Sequence, residues 1–189
     1  MKNYKKNLEL LSKNHVYSNE MEHDSCGVGL IASTEGKKSR VIVEHGIEAL
    51  KAVWHRGAVD ADGKTGDGAG IHVEIPKDFF IEKIEVTGHD YDNSEICVGM
   101  IFLPRNDYSS QESCKTIVES ELTKNNFSIY GWRQVPVNPK ILGEKAFQTM
   151  PEIIQVLFKP NDPDLIDKNL ERKIYETRKK IEKKAFQLS

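Results

Sequence analysis

The sequence is sparing in several respects, and each scarcity excludes a class of protein. It holds three cysteines, Cys26, Cys97 and Cys114, an odd number at wide spacings. They form neither a disulfide framework nor a Cys-x-x-Cys metal pair, so a reducing, cytoplasmic compartment is expected. Net charge is small, with 27 Lys+Arg against 29 Asp+Glu and a formal balance of -2. No broad positive field follows, and neither a nucleic-acid partner nor an anionic membrane is expected. Long hydrophobic runs are missing too. The longest charge-free apolar stretches, residues 26–34 and 96–104, fall far short of the roughly 20 residues that a bilayer-spanning helix requires. In the first 25 residues Lys2, Lys5, Lys6 and Lys13 are scattered among Glu and Asn, with no apolar run that would read as a secretory signal. Internal repeats and low-complexity tracts are absent. What is present, 189 residues with 38% hydrophobic and 30% charged, is the composition of an ordinary globular domain.

Along the chain the pattern changes abruptly. Residues 1–25 are polar, with a short amphipathic stretch at Leu8-Glu9-Leu10-Leu11 and an acidic end, Glu20-Met21-Glu22-His23-Asp24-Ser25. They read as a leader or arm. The uncharged run Cys26-Gly27-Val28-Gly29-Leu30-Ile31-Ala32 then has the length and composition of a buried strand. After Ser39, a good N-cap, Val43, Ile47, Leu50 and Trp54 recur at helical spacing and predict about four turns, ending near His55-Arg56-Gly57. Residues 58–70 contain four glycines and three aspartates and predict a long loop of functional character. Ile71, Val73 and Ile75 alternate like a half-buried strand, closed by Pro76 and a helical turn at Asp78-Phe79-Phe80. Further strands are predicted at 96–103, 127–135 and 153–159, with a helix over 110–124. The alternation is an α/β or α+β pattern. Residues 163–188 predict a final helix whose stripe of Ile166, Leu170, Ile174, Ile181, Ala185 and Leu188 is interrupted by Arg178 and needs a partner.

Two familiar motifs fail on inspection. Gly63-Lys64-Thr65 looks like the end of a phosphate-binding loop, but the glycine required five positions before Gly63 is Ala58, and Asp60, Asp62 and Asp67 would repel phosphate. An EF-hand starting at Asp60 would place Lys64 and Thr65 where an oxygen ligand and the obligatory glycine belong. His23, His45, His55, His72 and His89 show no tight metal-ligand spacing, so no metal site is expected. Cys26 is more informative. An isolated cysteine is ordinarily a small buried hydrophobe. Cleavage before Cys26, however, would put an α-amino group, whose pKa is about 7.7–8.0, beside the thiol on one residue. That is the N-terminal nucleophile arrangement, in which the base needs no separate side chain.

Several strings together resemble the class II glutamine amidotransferase domain of the glutamate synthase large subunit. They are Cys26-Gly27-Val28-Gly29-Leu30-Ile31-Ala32, His55-Arg56-Gly57 and Ala61-Asp62-Gly63-Lys64-Thr65-Gly66-Asp67-Gly68-Ala69-Gly70, followed by Gly131-Trp132-Arg133-Gln134-Val135-Pro136-Val137, Ile141-Leu142-Gly143 and Leu170-Glu171-Arg172-Lys173-Ile174-Tyr175. The resemblance implies an α+β fold, a partial four-layer αββα sandwich of the N-terminal nucleophile hydrolase type. It implies that residues 1–25 are a propeptide and that residues 26–189 are the front part of the amidotransferase domain, incomplete at its C-terminus. Cys26 would then be the catalytic nucleophile, attacking the side-chain amide of glutamine. Arg56 and Gly57 would line the pocket, with Arg56 helping to hold the cysteine. Two other readings stay open: Arg56 as a helix C-terminal surface charge and Gly57 as a helix C-cap. The aspartate-rich loop would be a structural or gating element, while Cys97 and Cys114 would be structural.

In that family a later part of the domain supplies an arginine for the glutamine carboxylate and an Asn-Gly pair for the oxyanion. An oxyanion-hole donor contributes about a hundred- to a thousandfold in rate, so this segment alone is expected to be weakly active or inactive. No cofactor is expected in this segment; FMN and an iron–sulfur cluster belong to the synthase region beyond it. The expected partners are glutamine and the remainder of the glutamate synthase large subunit, or a separate synthase chain. The alternative is a truncated or split segment without catalysis of its own, completed by another polypeptide through the stripe on the final helix.

Overall fold

The computed structural model describes residues 27–53, 57–66 and 68–187. The leader read over residues 1–25 lies outside the described residues, as do Cys26, Trp54, His55, Arg56, Asp67 and Leu188. The chain divides into two compact units, Met1–Gly57 and Ala58–Ser189.

In the first unit Ser39 caps a helix, α1 (Arg40–Ala52), by accepting a hydrogen bond from the Val41 amide at 3.2 Å. This is the predicted start, but the helix stops at Ala52 with Val53 as its C-cap, earlier than the predicted end near residue 57. The strand expected over 26–32 is corrected for its described part. Residues 27–32 have no regular structure, and Val28 and Leu30 are 93% and 89% exposed. A strand requires a neighbour to satisfy its backbone groups, and among the described residues none pairs with this run.

The second unit is built on a three-stranded antiparallel sheet of order β1-β3-β2, formed by β1 (Cys97–Leu103), β2 (Phe127–Gln134) and β3 (Glu152–Pro160). Chain order places α2 (Lys77–Val86) before β1 and α3 (Tyr108–Lys124) between β1 and β2. A 3-10 turn (Pro139–Ile141) and the short α4 (Glu144–Thr149) precede β3, and α5 (Asp167–Phe186) follows it. The central strand is buried on both faces, because Ile154, Val156 and Phe158 alternate with Gln155 and Leu157 and all five are buried. On one face, Val156, Phe158, Cys97 and Phe127 pack with Val118 and Leu122 of α3 and Leu170 of α5. On the other, Leu157 and Tyr130 meet Phe80 and Ile84 of α2, one helical turn apart on the same face, and Ile96. Asp107 starts α3 by accepting from the Ser110 amide at 3.0 Å, and Asn126, with φ +67°, turns the chain from α3 into β2.

The predicted strands and helices from residue 96 onward are present within a few residues of their expected ends. Two expectations are corrected. Residues 71–75 are irregular, with Ile71 and Val73 exposed, because no described strand lies beside them. The helical turn at 78–80 extends into the ten-residue α2, carried on by Ile84, which is fully buried. The final helix also differs from its prediction, since its stripe already has a partner inside the chain. Leu170 enters the core, Ile174 and Ile181 pack against it, and Lys180 Nζ donates to Asn125 Oδ1 of the α3 C-cap at 2.7 Å. Arg178 does not break the stripe, because Thr177 takes the inward position, fully buried, and satisfies its hydroxyl on Lys173 O at 2.8 Å. Arg178 points outward to Glu182. Ile166, at the N-cap, is exposed.

Candidate active site

The aspartate-rich loop is irregular as predicted, but it is closed. An antiparallel bridge joins Val59 to Gly66, and the Asp60 amide donates to Thr65 O at 2.7 Å. The tip turns at Gly63, whose φ of +68° is one that side-chain-bearing residues rarely adopt. Inside the tip, the Asp62 carboxylate accepts from the Lys64 amide at 2.9 Å, the Thr65 amide at 2.7 Å and the Thr65 hydroxyl at 2.6 Å. The Thr65 hydroxyl first, and then the Thr65 and Lys64 amides, hold the Asp62 carboxyl down at about 2. The Lys64 and Thr65 amides are therefore committed to a carboxylate, and the Gly63 amide to Asp60 O at 2.9 Å, rather than free to cradle phosphate. Residues 58–66 form a small pinned hairpin.

This hairpin sits on the start of α4. A Cβ placed on Gly143 would stand 2.1 Å from Thr65 Oγ1 and 2.3 Å from Asp62 Oδ2, so only glycine admits the approach. Lys145 Nζ reaches Asp60 Oδ2 at 2.6 Å. Sequence reading does not anticipate this seat. Its one signal is Gly143 itself, a glycine in the Ile141-Leu142-Gly143 string that no turn prediction requires.

Of the expected site residues, Cys26 and Arg56 lie outside the described residues, and Gly57 is an exposed bend directly before the hairpin. Gly57 is not a helix C-cap, since α1 ends at Ala52 with Val53 as its cap. Among the other cysteines, Cys97 lies in the core, where burial pushes its thiol up to about 12, and Cys114 on α3 is half-buried. Neither pairs in a disulfide. Among the described residues, no group of three or more His, Cys, Asp or Glu converges as a metal ion requires. No helix among them is long and apolar enough to cross a membrane.

A second polar cluster escapes sequence reading because its members come from distant segments. Tyr130 donates its hydroxyl to Asp92 Oδ1 at 2.9 Å, and Lys159 Nζ bonds Asp92 Oδ2 while lying over the Tyr130 ring. The Lys159 bond holds Asp92 well below the usual carboxylate range, and burial followed by the Asp92 bond pushes Tyr130 above its ordinary value. The cluster fastens the segment before β1 to the sheet.

Residues 26–189 match the family described as glutamine amidotransferases class-II. Over 180 residues, 95% of this chain and 12% of the relative, the sequence is 51% identical to the glutamate synthase [NADPH] large chain of Azospirillum brasilense. It is 40% identical over 163 residues to ferredoxin-dependent glutamate synthase 2, chloroplastic, of Arabidopsis thaliana, covering 86% of this chain and 10% of that protein. Against the ferredoxin-dependent glutamate synthase of Pyropia yezoensis identity is 38% over 175 residues, 92% of this chain and 11% of the relative. The chain thus spans roughly a tenth of the length of these relatives.

Proposed function

The chain belongs to the class-II glutamine amidotransferases, and on that premise we propose that it is the glutamine-hydrolysing portion of a glutamate synthase, releasing ammonia for glutamate synthesis. The observation that carries this reading is where the match begins. The family match starts at Cys26, the residue that chemistry singles out as a nucleophile once it is the first of the chain. Residues 1–25 are then a propeptide, and the fold is the front part of an αββα sandwich of N-terminal nucleophile hydrolases, with the three-stranded sheet and α3 and α5 as one of its sheet–helix layer pairs.

The free α-amine of Cys26 takes the thiol proton, and the thiolate adds to the carbonyl carbon of the glutamine side-chain amide. The α-ammonium returns the proton to the leaving nitrogen as the C–N bond breaks, giving ammonia and a γ-glutamyl thioester. Water, deprotonated by the same amine, attacks the thioester carbonyl and releases glutamate while the sulfur leaves as thiolate and is reprotonated. Arg56 and Gly57 line the pocket. Cys97 is unsuited to this role, because burial keeps its thiol protonated. FMN and an iron–sulfur cluster are held outside this segment, the protein acts in the cytoplasm, and the remaining partner is the rest of the synthase.

Intact mass, amino-terminal sequencing and labelling with a glutamine-mimicking diazo ketone test the reading. The expected product starts at Cys26 and carries one label there, which a Cys26→Ala variant lacks. Retention of residues 1–25 with no label on Cys26 counts against it.

A further inference from the structure

We propose that Asp62-Gly63 is a latent modification site, at which the backbone isomerises to an isoaspartyl linkage once the 58–66 hairpin leaves its seat on Gly143. The inference is independent of the amidotransferase reading. An aspartate followed by glycine is the dipeptide most prone to this reaction, because glycine has no Cβ to hinder attack by its own amide nitrogen. The turn nevertheless demands both residues. Gly63 has φ +68°, and Asp62 supplies the acceptor for the Lys64 and Thr65 amides at 2.9 Å and 2.7 Å. The most reactive dipeptide is thus fixed at the tip by the geometry of the hairpin itself.

The step needs the Gly63 nitrogen to attack Cγ of the protonated Asp62 carboxyl, with loss of water to give a five-membered succinimide. Water then opens the ring at the main-chain carbonyl of Asp62. The chain is left joined through Cγ with the α-carboxylate free, and its mass is unchanged. In the closed hairpin both reacting groups are occupied. The Gly63 amide donates to Asp60 O at 2.9 Å, and the Asp62 oxygens accept from the two amides and, at 2.6 Å, from the Thr65 hydroxyl. The same donors hold the carboxyl down at about 2, so its protonated, electrophilic form is scarce. The tip is also packed directly on the Gly143 backbone, where a Cβ would stand 2.1 Å from Thr65 Oγ1 and 2.3 Å from Asp62 Oδ2. Lys145 to Asp60, at 2.6 Å, ties down the same seat. An isomerised tip carries an extra main-chain carbon and a carboxylate one carbon shorter. It cannot remake these bonds at so tight a seat, so the release of the hairpin becomes permanent.

The test follows the full chain at neutral pH, native and in urea, as wild type, Gly143→Ala, Thr65→Val and Thr65→Ser. Isoaspartate is read by peptide mapping with a protease that cuts before aspartate but not before isoaspartate, and the hairpin by hydrogen exchange of the Asp60, Gly63 and Thr65 amides. In urea the same dipeptide at Asp67-Gly68 gives the reference rate. A reaction confined to the opened state follows the population of that state, so Asp62 is expected to isomerise about tenfold or more slowly in the native wild type than in urea. Gly143→Ala and Thr65→Val should lose hairpin protection and approach the rate in urea, while exchange in β1 and β3 stays as in the wild type. Thr65→Ser, which keeps the hydroxyl, should stay near the wild type. Equal rates in native wild type and in urea overturn the proposal, as does an Asp62 that stays intact in urea. Gly143→Ala and Thr65→Val chains that keep hairpin protection, or that lose it and still isomerise at the wild-type rate, overturn it too. Isomerised wild type that regains native exchange protection overturns the permanence of the release.

Discussion

Gly131 and Thr87 meet with no room for a side chain between them. A Cβ on Gly131 would stand 2.8 Å from Thr87 Cγ2 and 2.9 Å from Thr87 Cβ, and Gly131 has φ +149°. The contact sits at the register shift between Ile129 and Gly131 that bends β2, and the Thr87 hydroxyl lies 2.8 Å from Tyr130 O there. Gly131→Ala is therefore expected to cost about 2–4 kcal/mol, from overpacking and backbone strain together. Chemical denaturation measures it. Adding Thr87→Ser, which deletes Cγ2 and keeps the hydroxyl, is expected to recover part of the loss, and a strictly additive double mutant would count against the contact.

The seat of α5 is checked by two substitutions on opposite sides of the helix. Leu170 is buried in the core with Val118 and Leu122, so Leu170→Ala is expected to destabilise by about 2–5 kcal/mol. Arg178 faces solvent beside Glu182, and Arg178→Ala is expected within about 0.5 kcal/mol of wild type. Equal effects from the two would mean that the stripe is not packed as described.

The buried Cys97 thiol makes a prediction about reactivity and about alkaline stability. Burial raises it from an ordinary 9.0 to about 12, so the folded state favours the neutral thiol. That contribution is fully present below about 9, where the unfolded thiol is also neutral, and is lost as pH rises from there through 12. Iodoacetamide at pH 8 is expected to leave Cys97 unmodified in the native chain and to modify it after unfolding. Rapid native alkylation, mapped by peptide mass, would refute the burial.

Asp62 gives the opposite sign. Its carboxyl is held at about 2 against an ordinary 3.8, so its ionised form supports the hairpin above about 3.8, and that support fades as pH falls toward 2. Exchange protection of the Lys64 and Thr65 amides should persist at pH 4.5 and weaken below the ordinary value. Asp62→Asn should show no such pH dependence in that window.

Much of the described fold was readable from local pattern. Ser39 and the Val43, Ile47, Leu50 spacing predict α1, and the apolar runs after residue 96 predict three strands, because capping and alternation depend on neighbours in sequence. The same alternation misled at Ile71, Val73 and Ile75, where the pattern of a half-buried strand exists without an adjacent strand to pair with. Residues 27–32 show the same failure, apolar yet exposed. The interruption read at Arg178 in the last helix misled in the other direction, since Thr177, polar by composition, is buried because its hydroxyl is satisfied within its own turn.

By itself, the chain's order of residues determined the family resemblance, the choice of Cys26 as the candidate nucleophile and the loop character of residues 58–66, because these depend on side-chain chemistry and on spacings of a few residues. Only the tertiary structure decided that the loop is a pinned hairpin, that its seat is Gly143, and that Asp92, Tyr130 and Lys159 form one cluster. Those contacts join segments far apart along the chain, and their existence depends on how the sheet and helices pack, which no local pattern encodes.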